Sequence, residues 1–210
     1  MSVNNPADRP GAGVGVDFWF DPVCPYTWIT SRWLREVERV RRVEVRWRVM
    51  SLVELNKHLA VDPEDPEGLY GEYMKAPGRI CAAVRERYGN DALGRYFDAL
   101  GERVHVRGDW AGTGAALADA GLPAGLESVA MTAEYDPAVR ASHDAGIALV
   151  GPDAGTPVLA VEGVGALFGP VVSPAPRGEA AGRLWDGLVL LAGEAGFCEF
   201  RRGYGELDFG

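Results

Sequence analysis

Cys24 stands where a thiol could act as a nucleophile. It follows an apolar run, "VGVDFWF", and an Asp-Pro-Val turn, and it precedes "PYTWITSRWLREV". There Trp28, Ile29, Trp33, Leu34 and Val37 recur at three- and four-residue spacing, the pattern of an amphipathic helix. Pro25 suits the first helical position, where its missing N–H costs nothing. A cysteine at a helix N-terminus meets unpaired backbone N–H groups and the positive end of the helix dipole, both of which favour thiolate. This predicts a reactive Cys24. A dithiol site would place its second cysteine two residues after Pro25, and Thr27 stands there. A hydroxyl cannot close a disulfide, but it can hydrogen-bond a thiolate and stabilise it.

A second element is "GTPV", in which Thr156-Pro157 directly precedes a strand-like run, the setting of a cis X-Pro bond. Around Cys24, Tyr26 sits at the turn and is a candidate for substrate contact, while Trp28 either lines a pocket over the sulfur or packs. Trp19 and Phe20 point to opposite faces of a strand, so at least one belongs to the core and Phe20 is a candidate lining residue. His105, in "ERVHVRGDW" after a helix, is a candidate general acid. His143 reads as structural, and His58 has no motif around it. Cys81, beside two alanines in a helix, reads as core; Cys198 has no evident partner.

The elements that must position these groups follow from periodicity. Val14 to Phe20 form a buried strand, Pro25 opens a helix, and "VEVRWRVMSL" supplies a second strand over 43–52, a β-α-β unit closing as a parallel pair. The middle reads as short helices over 77–88, 91–103, 113–120, 126–131 and 137–149, separated by Gly- and Pro-containing stops. Strands return at 158–161 and 164–168 around Glu162-Gly163, a hairpin signal. A last helix over 178–192 carries Leu184, Leu188 and Leu191 as its apolar stripe.

Two hundred and ten residues suit one large domain or a domain with an insertion, and 47% apolar residues suffice for a core. The net charge of -9 argues against nucleic acid or an anionic membrane as partner. The local run "VERVRRVEVRWRV" reads as a helix tail followed by a strand with one charged face. Three widely spaced cysteines make no metal-ligand pattern, so no metal is expected. The polar, Gly/Pro-rich leader over 1–13 is no secretory signal, and no stretch is apolar enough to span a bilayer. A cytoplasmic location with reduced thiols is expected.

In order and spacing, "DFWFDPVCPYTWITSRW", "VMSL", "DAGLPAGL", "HDAG", "GTPVLAVEGV" and "FGPVVSPAPRGEAAGRLWD" resemble the DsbA-like proteins grouped with the mycothiol-dependent nitroreductases. The resemblance implies an α/β, thioredoxin-like fold with a central mixed sheet, built from 14–65 and 151–200, with an all-helical insert over 66–150. It also implies a cis-proline at Pro157 lying against the reactive sulfur of Cys24, and a small-molecule thiol partner. In that family a C-P-x-C dithiol cycles between thiol and disulfide; "CPYT" departs from this, so the intramolecular cycle is absent.

Three readings of a single activated thiol follow. In the leading one, Cys24 adds reversibly to a conjugated acyl or polyene substrate, small or carrier-bound, and releases it with the other alkene geometry. Thr27 and His105 assist, Phe20, Pro25, Tyr26, Trp28, Thr156 and Pro157 bind, and no cofactor is required. Hydroxychromene carboxylate isomerases, within the wider group, set the example, and secondary metabolism would be the setting. In the second reading Cys24 forms a mixed disulfide with mycothiol or glutathione, which a second thiol resolves. The third is a non-catalytic binding protein on a degenerate scaffold. A homodimer is compatible with all three.

Overall fold

A computed structural model describes residues 13–199, 202–203 and 207–209 of the chain. Most of the leader, residues 1–12, lies outside the described residues. The chain begins with β1 (Val14–Phe20), α1 (Pro25–Val40) and β2 (Val43–Val49). Alternation in β2 separates Val45, Trp47 and Val49, all buried, from Glu44, Arg46 and Arg48. The predicted second strand is shorter than expected. Ser51 ends it by accepting the Glu54 N–H at 3.3 Å, so Leu52–Asn56 becomes a short helix, α2.

Helices α3 (Gly71–Tyr88), α4 (Asn90–Gly101), α5 (Thr113–Asp119) and α6 (Asp136–Val150) follow. Helix α3 starts a turn and a half earlier than the periodicity suggests and carries Pro77 inside it. Helix α4 runs into a five-residue π-helical turn, Glu102–Val106, which contains His105. A 3₁₀ turn, Ala124–Val129, occupies part of the stretch expected to be α-helical. The chain then returns through the hairpin β3 (Val158–Val161) and β4 (Gly165–Phe168) to α7 (Gly178–Ala192).

These strands form one mixed sheet in the order β2-β1-β3-β4, with β1 parallel to β2 and antiparallel to β3. Strand β1, inside the sheet, is buried on both faces in its second half. Val16, Phe18 and Phe20 enter the main core with Trp47 of β2, Trp33, Leu34 and Val37 of α1, and Phe97 of α4. Trp185 of α7 packs on Trp33, with ring centroids 6.3 Å apart. The apolar stripe of α7 is rotated from the predicted one: Ala181, Trp185 and Leu188 are buried, whereas Leu191 is exposed. On the opposite face Trp19 packs with Met50, Val158 and Ile147 of α6. Its indole donates to the Ser142 carbonyl at 2.8 Å, and Gly146 leaves room for the ring, because a Cβ there would lie 2.9 Å from it. Both Trp19 and Phe20 are thus core residues. No helix of the described residues is long and apolar enough to cross a membrane.

Candidate active site

Cys24 is the N-cap of α1, and Pro25 occupies its first turn. The turn that presents the sulfur is held by Asp21. Its main-chain carbonyl accepts the Cys24 N–H at 3.1 Å, its Oδ1 accepts the Val23 N–H at 2.9 Å, and its Oδ2 accepts the Leu52 N–H at 2.7 Å. Thr27 completes this frame. Its hydroxyl lies 2.7 Å from the Asp21 carbonyl and 2.8 Å from the Cys24 carbonyl, and the residue is fully buried. With one proton to donate and two carbonyls facing it, the Thr27 hydroxyl is committed to the backbone. This corrects the expectation that it donates to the thiolate. The backbone N–H groups of Thr27 and Tyr26 do face the sulfur.

The electrostatics of Cys24 also differ from the expectation. The side chain is 4% exposed, and burial pushes the thiol above its ordinary value. The Thr156 hydroxyl pulls it back, the Asp21 carboxylate raises it further, and the Thr27 and Tyr26 N–H groups lower it. The helix N-terminus therefore works against desolvation rather than in an open, polar turn. Asp21 itself is buried, and desolvation raises its carboxyl to about 6 despite two N–H donors. Cys24 thus has a neighbour whose charge changes near neutrality.

Thr156-Pro157 is cis, as are Gly169-Pro170 and Ser173-Pro174. The Thr156 Oγ1 is buried and has no hydrogen-bond partner at normal geometry, yet its proton is placed to hold a thiolate at Cys24. Thr156 is itself buried, and no backbone–backbone hydrogen bond involves it among the described residues. Pro157 is fixed from the other side, its carbonyl accepting the Gly169 N–H at 2.8 Å.

Trp28, one turn beyond Cys24, is 2% exposed. It packs so closely on Gly101 that a Cβ there would fall 2.1 Å from the ring. Arg32 covers one part of the indole, its guanidinium carbon 3.9 Å from the ring centre. The His105 ring stacks beside it at 6.0 Å and 25°. The π-helical turn, a form of helix often found at functional sites, directs His105 back to the Cys24 turn, where its ring N–H meets the Pro22 carbonyl. Nε2 is buried without a partner. Burial holds this imidazole neutral, with its pKa lowered to about 4. A group neutral above that value is a hydrogen-bond acceptor near pH 7, not the proton donor expected from the sequence.

Phe20 is fully buried, stacked on Phe97 at 4.0 Å, and so belongs to the core rather than to a substrate surface. Tyr26 is half-buried beside the turn. His143 is buried, its Nδ1 3.5 Å from the Ser51 N–H. Cys81 is buried in the core and its thiol is pushed well up by burial, whereas Cys198 is exposed. No group of metal-ligating side chains occurs among the described residues.

Asp21 and Phe209, both at this site, were not singled out from the sequence. Asp21 announces itself only as the polar residue closing an apolar strand before proline. Phe209 lies far along the chain, yet its carbonyl accepts the Trp28 indole N–H at 2.9 Å and its ring stacks with His105 at 6.4 Å. An aromatic residue within a polar stretch was the available signal.

Known proteins resemble this arrangement at two levels. The uncharacterised protein Rv2286c of Mycobacterium tuberculosis (strain ATCC 25618 / H37Rv) is 34% identical over 194 residues, spanning 89% of this chain and 81% of its own. Among solved structures, the cytosolic disulfide reductase DsbM from Pseudomonas aeruginosa superposes with a TM-score of 0.52 at 18% identity, over 84% of this chain and 99% of its own. A probable DsbA oxidoreductase from Streptomyces coelicolor does so with a TM-score of 0.53 at 18% identity, over 93% and 94%. These likenesses show a DsbA-type thioredoxin fold. Residues 23–202, a span that includes Cys24, the π-helical turn and the cis-proline, match the family described by the mycothiol-dependent nitroreductase Rv2466c, and the chain belongs to this Rv2466c-like family.

Proposed function

We propose that the protein is a monothiol oxidoreductase, in which Cys24 exchanges with an oxidised acceptor and a low-molecular-weight thiol returns it to the reduced state. One observation carries this reading: within a family described by a mycothiol-dependent enzyme, the position of the resolving cysteine is a threonine whose hydroxyl is bound to backbone carbonyls. An outside thiol must therefore do what the second cysteine does in a dithiol site. Among the described residues, Cys81 is sealed in the core and Cys198 is exposed, whereas Cys24 is buried at its turn.

With a disulfide as acceptor the steps balance. The Cys24 thiolate attacks one sulfur, forming a mixed disulfide and releasing the other sulfur as thiolate. A thiol, after losing its proton, attacks the mixed disulfide, regenerates the Cys24 thiolate and leaves as the new disulfide. With a nitro compound as acceptor, two thiols supply the two electrons and two protons that convert nitro to nitroso and water. The chain's own residues set the conditions for exchange. Thr156 and the N–H groups of Thr27 and Tyr26 hold the thiolate, burial and Asp21 oppose it, and the Thr156 N–H and C=O, which make no backbone–backbone hydrogen bond, lie beside the cis-proline for a ligand that displaces what buries them. Mycothiol fits such a site through its sulfur and amide groups; glutathione offers the same chemistry.

The test is turnover of a small disulfide, and separately of a nitroaromatic compound, with mycothiol, with glutathione and with neither. The expected result is Cys24-dependent turnover only when thiol is present, with one thiol disulfide formed per two thiols consumed. Isomerisation by reversible addition of Cys24, which needs no thiol, gains no support from the family match. Thiol-independent, Cys24-dependent isomerisation of a polyene thioester, without redox turnover, would replace the redox reading.

A further inference from the structure

The segment 207–209 meets the site as a ligand would. The Phe209 carbonyl accepts the Trp28 Nε1–H at 2.9 Å, and the Phe209 ring stacks with His105 at 26°. Trp110 meets the His105 ring edge-on at 6.2 Å, closing the aromatic surround. One residue back, Ser173 Oγ accepts the Asp208 N–H at 2.6 Å, so the segment is tied at one point and inserted at the next. Phe209 also walls a cavity of about 330 Å³ lined by Ile29, Arg32, Pro174 and Arg177. Planar aromatic group, adjoining oxygen acceptor and anchoring donor thus come together one helical turn from Cys24.

We infer that Phe209 occupies a binding slot for planar, conjugated ligands bearing an oxygen acceptor, and that the 207–209 segment must leave for such a ligand to enter. The inference rests on the reading of Cys24 and its surroundings as an active site, and it names the ligand class and a built-in competitor for it. The slot is complete without Phe209. Trp28 supplies the donor, the neutral imidazole of His105 supplies a stacking face, and the Arg32 guanidinium, paired with Asp98, lies over the indole. A ring with a carbonyl, carboxylate or nitro oxygen meets the Trp28 N–H and the His105 face as the Phe209 carbonyl and ring do. At Phe209 itself one indole–carbonyl hydrogen bond and one ring stack favour insertion by roughly tenfold to a hundredfold, beside the bonds that tie Asp208 to Ser173. Apparent affinity for a competing ligand falls by the fraction of molecules with the slot free.

The probe is trans-cinnamate, whose binding is measured by calorimetry on the full chain, on Phe209→Ala and on a chain ending at Gly203. About tenfold tighter binding to both altered chains is expected, with the synthetic peptide Glu-Leu-Asp-Phe-Gly competing for the shortened chain. The Trp28 indole N–H resonance should move on shortening and move back when the peptide is added. Equal affinity in the three chains, weaker binding to Phe209→Ala, no cinnamate binding to the shortened chain, or no competition by the peptide would each overturn the inference. Thiol-dependent turnover is measured separately on the same proteins. Its absence together with intact competition would sink the redox reading and leave the slot standing.

Discussion

Asp21→Asn removes the buried charge beside Cys24 while keeping nearly the same shape. The carboxyl's rise from 3.8 to about 6, caused first by burial, corresponds to about 3 kcal/mol at roughly 1.4 kcal/mol per pH unit. Because the folded-state value is raised, this contribution is fully present below about pH 4 and is lost as pH rises through about 6. The asparagine has no such dependence. It does lose an acceptor, since an amide can serve only one of the Val23 and Leu52 N–H groups as an oxygen, at a cost of about 1–3 kcal/mol. The variant should therefore be less stable than the parent near pH 4.5 and equal to it, within about 2 kcal/mol, near pH 7.5. Subtraction of the parent's urea unfolding curve at each pH isolates Asp21 from every other titrating group, His105 included. On the same proteins, in a Cys198→Ser background, the rate of Cys24 alkylation against pH should shift to lower pH in Asp21→Asn, because one of the influences raising the thiol is gone. A stability difference that does not change between pH 4.5 and 7.5, or a Cys24 alkylation profile that does not move, would refute the coupling.

Thr27→Cys should convert the site to a dithiol: the Cys24 mixed disulfide should no longer accumulate under mass spectrometry, and the lost hydroxyl bond should lower stability by about 1 kcal/mol. Thr156→Val removes a buried hydroxyl that has no partner, so stability should hold or rise in thermal unfolding, while the Cys24 alkylation profile moves to higher pH. For His105, whose folded value of about 4 lies below the ordinary 6.5, stability is present above pH 6.5 and is lost as pH falls towards 4; His105→Phe should flatten that part of the unfolding profile. Alkylation of the native protein at pH 8 should modify Cys198 first, Cys24 more slowly and Cys81 only on unfolding, which peptide mapping would show.

Much of the fold was legible because local signals agreed with it. The strand, Cys-Pro turn and helix around Cys24, the "GTPV" return and the Glu162-Gly163 hairpin each carry their own turn chemistry, and their elements fall where the periodicity puts them. Two of the exceptions are places where local backbone geometry outweighs a pattern. Ser51 caps α2 and ends β2 early, and the π-helical turn inserts where the α4 pattern runs on into His105. Of the site, the cis-proline and the place of Cys24 at the head of a helix were legible. Its electrostatics were not, because the charge state of Cys24 depends on burial by distant elements and on Asp21, whose partner Leu52 lies in another element. Thr27 shows the same limit: residue type states that no disulfide forms, but only the fold shows its hydroxyl turned towards the backbone. Phe209 could not be placed by sequence, since 181 residues separate it from Trp28.

The central claim is that an outside thiol resolves Cys24, and intact-protein mass spectrometry tests it most directly. Cys198→Ser protein is treated with mycothiol disulfide and then with reduced mycothiol. The account predicts one added mycothiol at Cys24, removed by the second addition, with no adduct in Cys24→Ser. A protein that takes up no mycothiol at Cys24, or one whose adduct resists excess reduced thiol, would contradict it.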